Sequence, residues 1–261
     1  MKKMQVLAGS AELAFTDLGN GAAILLLHGG AGPASMVGLA EALSASHRLI
    51  LPVHPGFDER PRPEWLHTIH DLATIYLALI ERLDLPRVTL VGNSAGGWIA
   101  AEMALRRSPR IAGIVLLNAV GIDPKPTGKP IVDPLGVPPA ERATLAFHDP
   151  ATFAAAPQTP EALERLRRNQ QALMVYAGDP FMHDPTLRDR LARLDVPAMV
   201  LWGASDRIVE IEYGLSFAAS MPGARFETVA EAGHFPQIEK LDLTSRLVAE
   251  FADGQSQSKP F

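Results

Sequence analysis

Short apolar runs alternate with helical patterns along most of this chain of 261 residues. Five runs are apolar almost throughout, and a sixth is more alternating. They span Ala23–Leu27, Arg48–Val53, Arg87–Val91, Ile111–Leu117, Ala198–Trp202 and, for the alternating run, Arg225–Val229. Helical patterns separate them at Ser35–Ser44, Ile69–Leu83, Gly97–Arg107 and Leu241–Phe251. Strands that are apolar throughout are buried on both faces, so the pattern predicts an α/β fold with a mostly parallel sheet covered by helices.

The alternation stops once, between Gly121 and Leu194. This segment begins with the proline- and glycine-rich stretches PKPTGKP and DPLGVPP, and helical patterns follow at Ala140–Phe147 and Pro160–Tyr176. A structureless loop of this length is unusual in a compact domain. We therefore predict a core formed by residues 1–120 and 195–261, with a helical insertion at 121–194 between two strands. The last residues, Gly254–Phe261, are predicted to form a polar tail.

Charge and cysteine content exclude several classes of function. The chain has 29 acidic and 24 basic residues, a net charge of −5 and no cysteine. The acidic balance argues against nucleic acid and anionic membranes as partners. The absence of cysteine excludes disulfides, thiolate metal sites and a cysteine nucleophile, and it fits a reducing compartment. No apolar stretch typical of a secretory signal follows the first lysines, and Ala22–Leu27 is too short to span a membrane. We expect a cytoplasmic protein with a small-molecule substrate.

A serine between glycines lies where a strand passes into a helix. Gly92-Asn93-Ser94-Ala95-Gly96 follows the apolar run that ends at Val91. A tight G-x-S-x-G turn projects the serine hydroxyl beyond the carboxyl end of the strand, and the Ala95 backbone N–H at the helix start stabilises negative charge. We predict that Ser94 is a nucleophile. The alternative is a glycine-rich turn that carries a serine without chemistry.

A serine hydroxyl needs a base, and the base needs an orienting acid. Asp206 follows the run at Ala198–Trp202, and His234 follows the next run. Both are expected at the sheet edge that carries Ser94, in the order Ser, Asp, His. Asp123 is an alternative acid outside the stronger motif, whereas Asp195 precedes its strand and belongs at the opposite edge.

A second glycine-rich turn, His28-Gly29-Gly30-Ala31-Gly32-Pro33, follows the first apolar run. A dinucleotide site of the G-x-G-x-x-G type would need a third glycine, and this chain has Ser35 there. We predict an oxyanion loop instead. In it the backbone N–H of Gly30, or of Ala31 as the second choice, joins that of Ala95 in facing a tetrahedral intermediate.

Together these stretches resemble the α/β-hydrolase fold family. The matching stretches are His28-Gly29-Gly30, Gly92–Gly97, Gly203-x-x-Asp206-x-x-Val209 and Gly233-His234, and the resemblance covers essentially the whole chain. It implies a mostly parallel eight-stranded sheet with helices on both faces and a helical cap inserted after strand six. It also implies a triad without metal or cofactor, in which Ser94 attacks, His234 is the general base and then acid, and Asp206 holds the imidazole.

The resemblance also narrows the chemistry. Epoxide hydrolases and haloalkane dehalogenases of this fold have aspartate in place of Ser94. Proline iminopeptidases have a His-Gly-Gly-Pro-Gly loop, in which proline stands where this chain has Ala31. Carbon–carbon hydrolases of aromatic meta-cleavage pathways share Gly-Asn-Ser-x-Gly-Gly with residues 92–97. Their oxyanion loop, however, is His-Gly-Ser-Gly-Pro-Gly, and a tryptophan usually follows their catalytic histidine, where this chain has Phe235.

Side chains of the insertion are the candidates for substrate contact. They are Phe147, His148, Tyr176, Phe181 and His183, with Phe235 from the core beside them. Aromatic residues at helical spacing are also typical of the interior of a cap. His67 and His70 lie three residues apart at a helix start. Because no third metal ligand is apparent, we expect a solvated helix start there.

Three functions fit this sequence. The first is hydrolysis of a small carboxylic ester, or a similar acyl compound, through an acyl-serine. The second is hydrolysis of a carbon–carbon bond by the same triad, and the third is a receptor that binds a small molecule without turnover. The complete triad favours an enzyme, and we expect the ester hydrolase.

Overall fold

The computed structural model describes residues 1–133, 136–154 and 159–256. Eight strands form one sheet in the order β1-β2-β4-β3-β5-β6-β7-β8. The strands are β1 (Lys2–Val6), β2 (Ala11–Leu18), β3 (Ala22–Leu27), β4 (His47–Val53), β5 (Val88–Asn93), β6 (Ile111–Leu117), β7 (Ala198–Gly203) and β8 (Arg225–Val229). From β4 to β8 every pairing is parallel. This arrangement confirms the predicted mostly parallel, eight-stranded α/β sheet.

The first two strands are the part of the sheet that the apolar runs do not predict. β1 and β2 pair antiparallel across a 3-10 turn at Leu7–Gly9, and β2 pairs antiparallel with β4. β1 lies at the sheet edge and is mostly exposed. An antiparallel edge strand can face water and needs few apolar residues, so its signal in the sequence is weak.

The central strands are buried on both faces, as their composition predicts. Every residue of β5, β6 and β7 is buried. Successive residues of β3 point to opposite sides of the sheet, so that Leu25 and Leu27 pack in one apolar cluster, whereas Ile24 and Leu26 pack in the other. The sheet therefore has a hydrophobic core on each face.

Two layers of helices cover these faces. Alpha helices α1 (Ala34–Leu43) and α10 (Leu241–Ser256) pack together on one face, and the short helix α9 (Pro236–Glu239) contacts both. On the other face lie α2 (Ile69–Arg82), α3 (Ala95–Ala104) and α8 (Ile211–Ala219). The sequence patterns do not predict α8, whose centre contains Gly214 packed against the Trp202 ring. No helix in the described ranges is both long enough and apolar enough to cross a membrane.

Helices alone connect β6 to β7 in the described part of residues 121–194, which we call the insertion. They are α4 (Pro139–Ala146), α5 (Pro150–Phe153), α6 (Pro160–Ala177) and α7 (Leu187–Leu191). α4 and α6 lie where the sequence predicts helices, whereas α5 and α7 are too short to give a periodic signal. One isolated parallel bridge joins Gly121, the first residue of the insertion, to His183, which precedes α7.

The end of the chain differs from the predicted tail. The final helix, α10, continues through Gly254 to Ser256, so the first three residues of the predicted tail are helical. Its buried residues Val248 and Ala252 pack against the sheet, and this packing carries the helix beyond the apolar pattern that ends at Phe251. Residues 257–261 lie outside the described residues.

Candidate active site

Ser94 occupies the turn between β5 and α3 with a positive φ of 57° and a ψ of −121°, a backbone conformation that is uncommon for a residue with a side chain. A Cβ atom at Gly92 would overlap the Gly96 carbonyl oxygen, and one at Gly96 would overlap the Leu27 carbonyl oxygen. The Ser94 backbone N–H donates to the Leu117 carbonyl oxygen at 3.0 Å. Steric overlap therefore excludes a side chain at either flanking glycine, and the Ser94–Leu117 hydrogen bond holds the turn against the neighbouring strand.

Asp206 and His234 form a buried pair at the same sheet edge. The His234 Nδ1–H donates to Asp206 Oδ2 at 2.8 Å. This bond fixes the tautomer in which Nε2 carries the lone pair of a general base. Asp206 Oδ1 also accepts the backbone N–H groups of Ile208 and Val209 at 2.8 and 3.1 Å. The carboxylate is thus held by its own loop as well as by the imidazole.

Asn118 is a member of this network that the sequence analysis misses. Its Nδ2 donates to Asp206 Oδ2 at 2.7 Å, and its Oδ1 accepts the Gly203 backbone N–H at 3.2 Å. Asn118 directly follows β6 and has a positive φ of 44°. The sequence did carry a signal for Asn118: a polar residue directly after a fully buried strand, at the sheet edge that carries Ser94.

Asn93 brings the His234 loop to the Ser94 turn. Its side-chain Nδ2 donates to the carbonyl oxygens of His234 at 3.0 Å and Leu117 at 3.1 Å. Asn93 immediately precedes Ser94, so the histidine backbone lies against the serine turn. The Ser94 hydroxyl has no hydrogen bond within the described ranges. It is available to bond His234 Nε2 when substrate binds, since such contacts often tighten only in the complex.

The glycine loop after β3 lies directly beside Ser94. A Cβ atom at Gly29 would stand 2.8 Å from Ser94 Cβ. The Gly29 carbonyl oxygen accepts a bond from His28 Nδ1 at 2.8 Å. In the trans peptide that follows, the Gly30 N–H points away from that carbonyl. Gly30 is half-buried and Ala31 is exposed, so this geometry favours Gly30 over Ala31 as the oxyanion donor beside Ala95.

The imidazole rings of His28 and His54 stack next to the glycine loop, with their ring centroids 3.6 Å apart. The His54 backbone N–H donates to His28 Nε2 at 3.0 Å, and His54 Nε2 donates to the His28 carbonyl oxygen at 2.8 Å. The Tyr76 hydroxyl then donates to His54 Nδ1 at 2.5 Å. This pattern requires both imidazoles to be neutral. Burial lowers the pKa of His28 to about 4 and holds the pKa of His54 well below its usual value.

Phe147 and Phe235 meet beside the candidate base. Their ring centroids lie 5.2 Å apart, and the Phe235 ring stands edge-on to the His234 imidazole at 5.1 Å. Phe147 follows α4 in the insertion, and both phenyl groups are half-buried. These two predicted contact residues therefore lie close to the histidine, and they come from the insertion and the core.

Helix α6 covers the loops next to the glycine turn. A Cβ atom at Gly30 would overlap a Leu173 methyl group, so Leu173 lies directly against the predicted oxyanion donor. Tyr176 is buried and donates from its hydroxyl to the Pro55 carbonyl oxygen at 2.8 Å. The Asn169 side chain exchanges two hydrogen bonds with Asp58, at 2.8 and 2.9 Å. Leu173 and Asn169 are not among the predicted contacts, although both lie on the face of α6 that carries Tyr176.

The remaining predicted contacts bond residues other than the three members of the triad. His148 is exposed, and its Nδ1 lies 2.8 Å from Ser205 Oγ. His183 Nδ1 bonds the Phe181 carbonyl oxygen at 3.0 Å, next to the bridge with Gly121. No hydrogen bond in the described ranges joins these side chains to Ser94, Asp206 or His234. Their roles in substrate binding stay predictions.

The two alternative acids lie elsewhere. Asp123 Oδ1 accepts the Lys125 backbone N–H at 3.0 Å. Asp195 is exposed and forms an ion pair with Arg107 at 3.4 Å. Neither carboxylate bonds His234, which supports the preference for Asp206.

His70 belongs to an ion-pair network rather than to a histidine pair. It lies 3.2 Å from Glu102 Oε2 and 3.6 Å from Asp184 Oδ2, and its hydrogen bond with Glu102 raises its pKa. These three residues could surround a cation. The Arg190 guanidinium already bonds both carboxylates, at 2.6 to 2.8 Å. His67 is exposed and is not part of this cluster.

Comparison with known proteins identifies the family of this chain. The sequence model of the alpha/beta hydrolase fold matches residues 22–241. The chain belongs to the α/β-hydrolase fold family. Its sequence relatives are hydrolases, and this α/β-hydrolase is an enzyme of that class.

Several relatives of this α/β-hydrolase carry names of carbon–carbon hydrolases. A 2-hydroxy-6-oxononadienedioate/2-hydroxy-6-oxononatrienedioate hydrolase from Pseudomonas putida is 27% identical, with 92% of this chain and 91% of the relative aligned. A 2-hydroxy-6-oxo-6-phenylhexa-2,4-dienoate hydrolase from Burkholderia cepacia is also 27% identical, with 90% and 89% aligned.

Solved structures give the same fold. A meta-cleavage product hydrolase superposes with a TM-score of 0.79 at 24% identity, over 97% of this chain and 98% of its own. A thermophilic esterase from Thermogutta terrifontis superposes with a TM-score of 0.77 at 25% identity, over 98% and 99% of the two chains. Over 90% or more of its length, the α/β-hydrolase is thus similar in sequence to hydrolases of 2-hydroxy-6-oxo compounds and in structure to an esterase.

Proposed function

We propose that this α/β-hydrolase cleaves a bond next to a carbonyl group through a covalent acyl-Ser94 intermediate. The observation that carries the proposal is the buried Asp206–His234 hydrogen bond of 2.8 Å, on a loop that Asn93 ties to the Ser94 turn. Nucleophile, base and orienting acid are the three parts that acyl transfer by serine needs.

In the first half of the reaction, the Ser94 oxygen attacks the carbonyl carbon while His234 Nε2 takes the hydroxyl proton. The carbonyl π electrons move onto oxygen, where the N–H groups of Gly30 and Ala95 stabilise the oxyanion. As the intermediate collapses, the electron pair of the breaking bond leaves with the leaving group, which takes the proton from His234. Water then repeats the sequence on the acyl-serine and releases the acid.

For the substrate, we propose first a carbon–carbon bond in a vinylogous diketo acid. Two observations support this class. Seven relatives that are 25–28% identical are named as hydrolases of 2-hydroxy-6-oxo-dienoates or closely similar compounds. The residues 92–97 also match Gly-Asn-Ser-x-Gly-Gly, the pattern that the sequence analysis associates with such enzymes. Small-molecule substrates of this kind need no partner protein or cofactor.

Ester hydrolysis, the expectation from the sequence, is the second candidate. The similarity to a thermophilic esterase at 25% identity supports it. Phe235 after the histidine and Ala31 in the oxyanion loop also depart from the carbon–carbon hydrolases. A receptor without turnover is the third possibility.

One experiment separates the three. Purified protein and its Ser94→Ala variant are incubated with 2-hydroxy-6-oxo-6-phenylhexa-2,4-dienoate, with p-nitrophenyl esters of increasing acyl length, and with a fluorophosphonate probe. The proposal expects Ser94-dependent probe labelling and a kcat/KM for the dienoate at least tenfold above that for any ester. A higher kcat/KM for an ester overturns the carbon–carbon assignment but keeps the acyl-serine. Absence of labelling overturns both.

We also propose that the insertion, residues 121–194, is a cap over a core formed by 1–120 and 195–261, and that the protein works in the cytoplasm. The contacts of α6 with the glycine loop and of Phe147 with Phe235 support the cap.

Cap side chains bind the remote part of a substrate, whereas the triad acts at the carbonyl. Phe147→Ala should therefore change acyl-length preference severalfold and leave hydrolysis of p-nitrophenyl acetate within twofold. Unchanged preference would count against the cap role of Phe147.

A further inference from the structure

Glu239 is a buried carboxylate held by three backbone N–H groups. Its Oε2 accepts the Gly233 N–H at 2.5 Å, and its Oε1 accepts the N–H groups of His148 and Asp149 at 2.8 and 3.0 Å. Gly233 immediately precedes the candidate base, whereas His148 and Asp149 belong to the insertion. A single carboxylate therefore joins the insertion to the histidine loop. No cation pairs with it among the described residues.

The insertion is joined to both catalytic loops over six consecutive residues, 144–149, which we call the bridge segment. The Ala146 carbonyl oxygen accepts the His234 backbone N–H at 2.7 Å. The Leu145 carbonyl oxygen accepts the N–H of Arg207, the residue after Asp206, at 3.0 Å. Arg207 Nη1 also donates to the Thr144 carbonyl oxygen at 2.8 Å. The bridge segment thus bonds the backbone of His234 itself and of Arg207, the neighbour of Asp206.

The space around this junction allows little adjustment. A Cβ atom at Gly233 would overlap the Ala146 carbonyl oxygen, so the bridge segment lies directly against the backbone before His234. A Cβ atom at Gly203 would likewise overlap the Gly233 carbonyl oxygen, so these two backbones also lie directly against each other. A shift of the bridge segment must therefore move the histidine loop.

We propose that Glu239 is a positioning residue that uses the bridge segment to hold His234 against Asp206, so that the insertion is part of the catalytic support as well as the substrate pocket. The inference rests on the proposed function of Ser94, Asp206 and His234. Glu239 acts only through the backbone of Gly233 and the bridge segment. It is not itself a catalytic group.

Glu239→Gln tests this role with almost no change in shape. Glutamine replaces one acceptor oxygen by an amide NH2, which then faces at least one backbone N–H that had an acceptor. Glu231→Gln is the matched control, because Glu231 lies in the loop that carries Gly233 and His234, is exposed and pairs only with Lys240 at 2.7 Å in the described ranges. Both variants are compared with the parent in kcat, in KM, in the rate of Ser94 phosphonylation and in the NMR resonance of the His234 Nδ1 proton.

The expected result is a fall in kcat of about 10- to 100-fold for Glu239→Gln with KM within threefold, since small misplacements of catalytic groups cost rate. Phosphonylation should slow by the same factor, and the His234 Nδ1 proton resonance should shift or broaden. Glu231→Gln should match the parent in all four. A Glu239→Gln variant within twofold of the parent in kcat and with the parent resonance overturns the proposal.

Two additional measurements cover the cases in which Glu239→Gln does not fold or the parent protein is not phosphonylated. If Glu239→Gln does not fold, Arg207→Met removes the bond to Thr144 and should lower kcat severalfold at constant KM; unchanged kcat overturns the proposal. If the parent itself is not phosphonylated, the proposed acyl-serine function fails. The His234 resonance still tests the positioning role independently, since an unchanged resonance in the variant overturns it.

Discussion

The two halves of the candidate site are built in different ways. The Ser94 turn is shaped mainly by its own neighbours, Gly92 and Gly96, which make room for each other and for the adjoining strand. The Asp206–His234 pair is held by residues far away in sequence: Asn118 is 88 positions from Asp206, and Ala146 lies on the insertion. One half is a local backbone device, and the other is an assembly of long-range contacts.

The two halves should therefore respond differently to substitution. Changes at Ser94 or at its flanking glycines should abolish chemistry or affect the fold outright, because the nucleophile has no substitute and the glycines have no room for a side chain. Changes around the Asp206–His234 pair should reduce the rate in steps, because several hydrogen bonds share the task. The following measurements separate the two behaviours.

The largest effect is expected for Ser94→Ala. Removing the nucleophile removes the covalent route, so kcat should fall by about 10⁴-fold or more, with oxyanion stabilisation as the only residual catalysis. Thermal unfolding should stay close to that of the parent, because alanine and serine have similar volume in this turn. Turnover above one tenth of the parent rate would contradict the mechanism.

Gly96→Ala should act on the fold. The added Cβ overlaps the Leu27 carbonyl oxygen, and because a backbone atom cannot move aside as a side chain can, the variant should lose several kcal/mol of unfolding free energy or fail to fold. The matched control is Gly38→Ala in α1, where the nearest atom would be 3.8 Å away. There the change should stabilise by about 0.5–1 kcal/mol because alanine favours the helix. Urea unfolding of both variants checks the contrast, and equal stabilities would refute it.

Asn118→Ala tests the Asp206–His234 pair, the half of the site that long-range contacts hold. Asp206 loses one of its four hydrogen bonds and keeps the bond to His234, so kcat should fall by about 10-fold, with KM nearly constant, as expected for loosened geometry. Asn20→Ala, at an exposed position after β2, serves as the control and should leave kcat unchanged. A loss as large as that of Ser94→Ala would show that the pair depends on one contact instead of several.

The smallest effect concerns the histidines below the glycine loop. The folded pKa of His28, about 4, lies below that of an unfolded histidine, so only the unfolded chain binds this proton between about pH 6.5 and 4. Stability is then full above pH 6.5 and decreases as pH falls, by about 1 kcal/mol between pH 6.5 and 5.5 for one such histidine. His54, shifted in the same direction, adds to this slope.

Urea unfolding of the parent and of His28→Asn across that pH range measures the contribution. The variant should have the shallower slope, whereas His67→Asn, at an exposed position, should keep the slope of the parent. Equal slopes in parent and His28→Asn would contradict the buried neutral pair.

Much of the fold and the centre of the site follow from the sequence because their determinants are local. Continuous apolar runs identify β3 to β7, and the glycines around Ser94 identify the turn. Asn118 and Glu239 escape such reasoning because their partners lie 88 to 91 positions away, or in another loop, and no periodic pattern connects them. β1 escapes because a solvated edge strand lacks apolar character, and α5 and α7 because a short helix gives no period.

The bridge segment also bears on how the insertion of this chain can be exchanged for that of a relative. A chimera that replaces residues 121–194 as a whole substitutes a foreign backbone for the Leu145 and Ala146 carbonyl groups that bond the Asp206 and His234 loops. A chimera whose foreign sequence begins after Asp149 keeps them, together with both backbone donors to Glu239. The crossover point for transplanting specificity onto this scaffold therefore lies inside the insertion, after Asp149, and not at the boundary of the sheet.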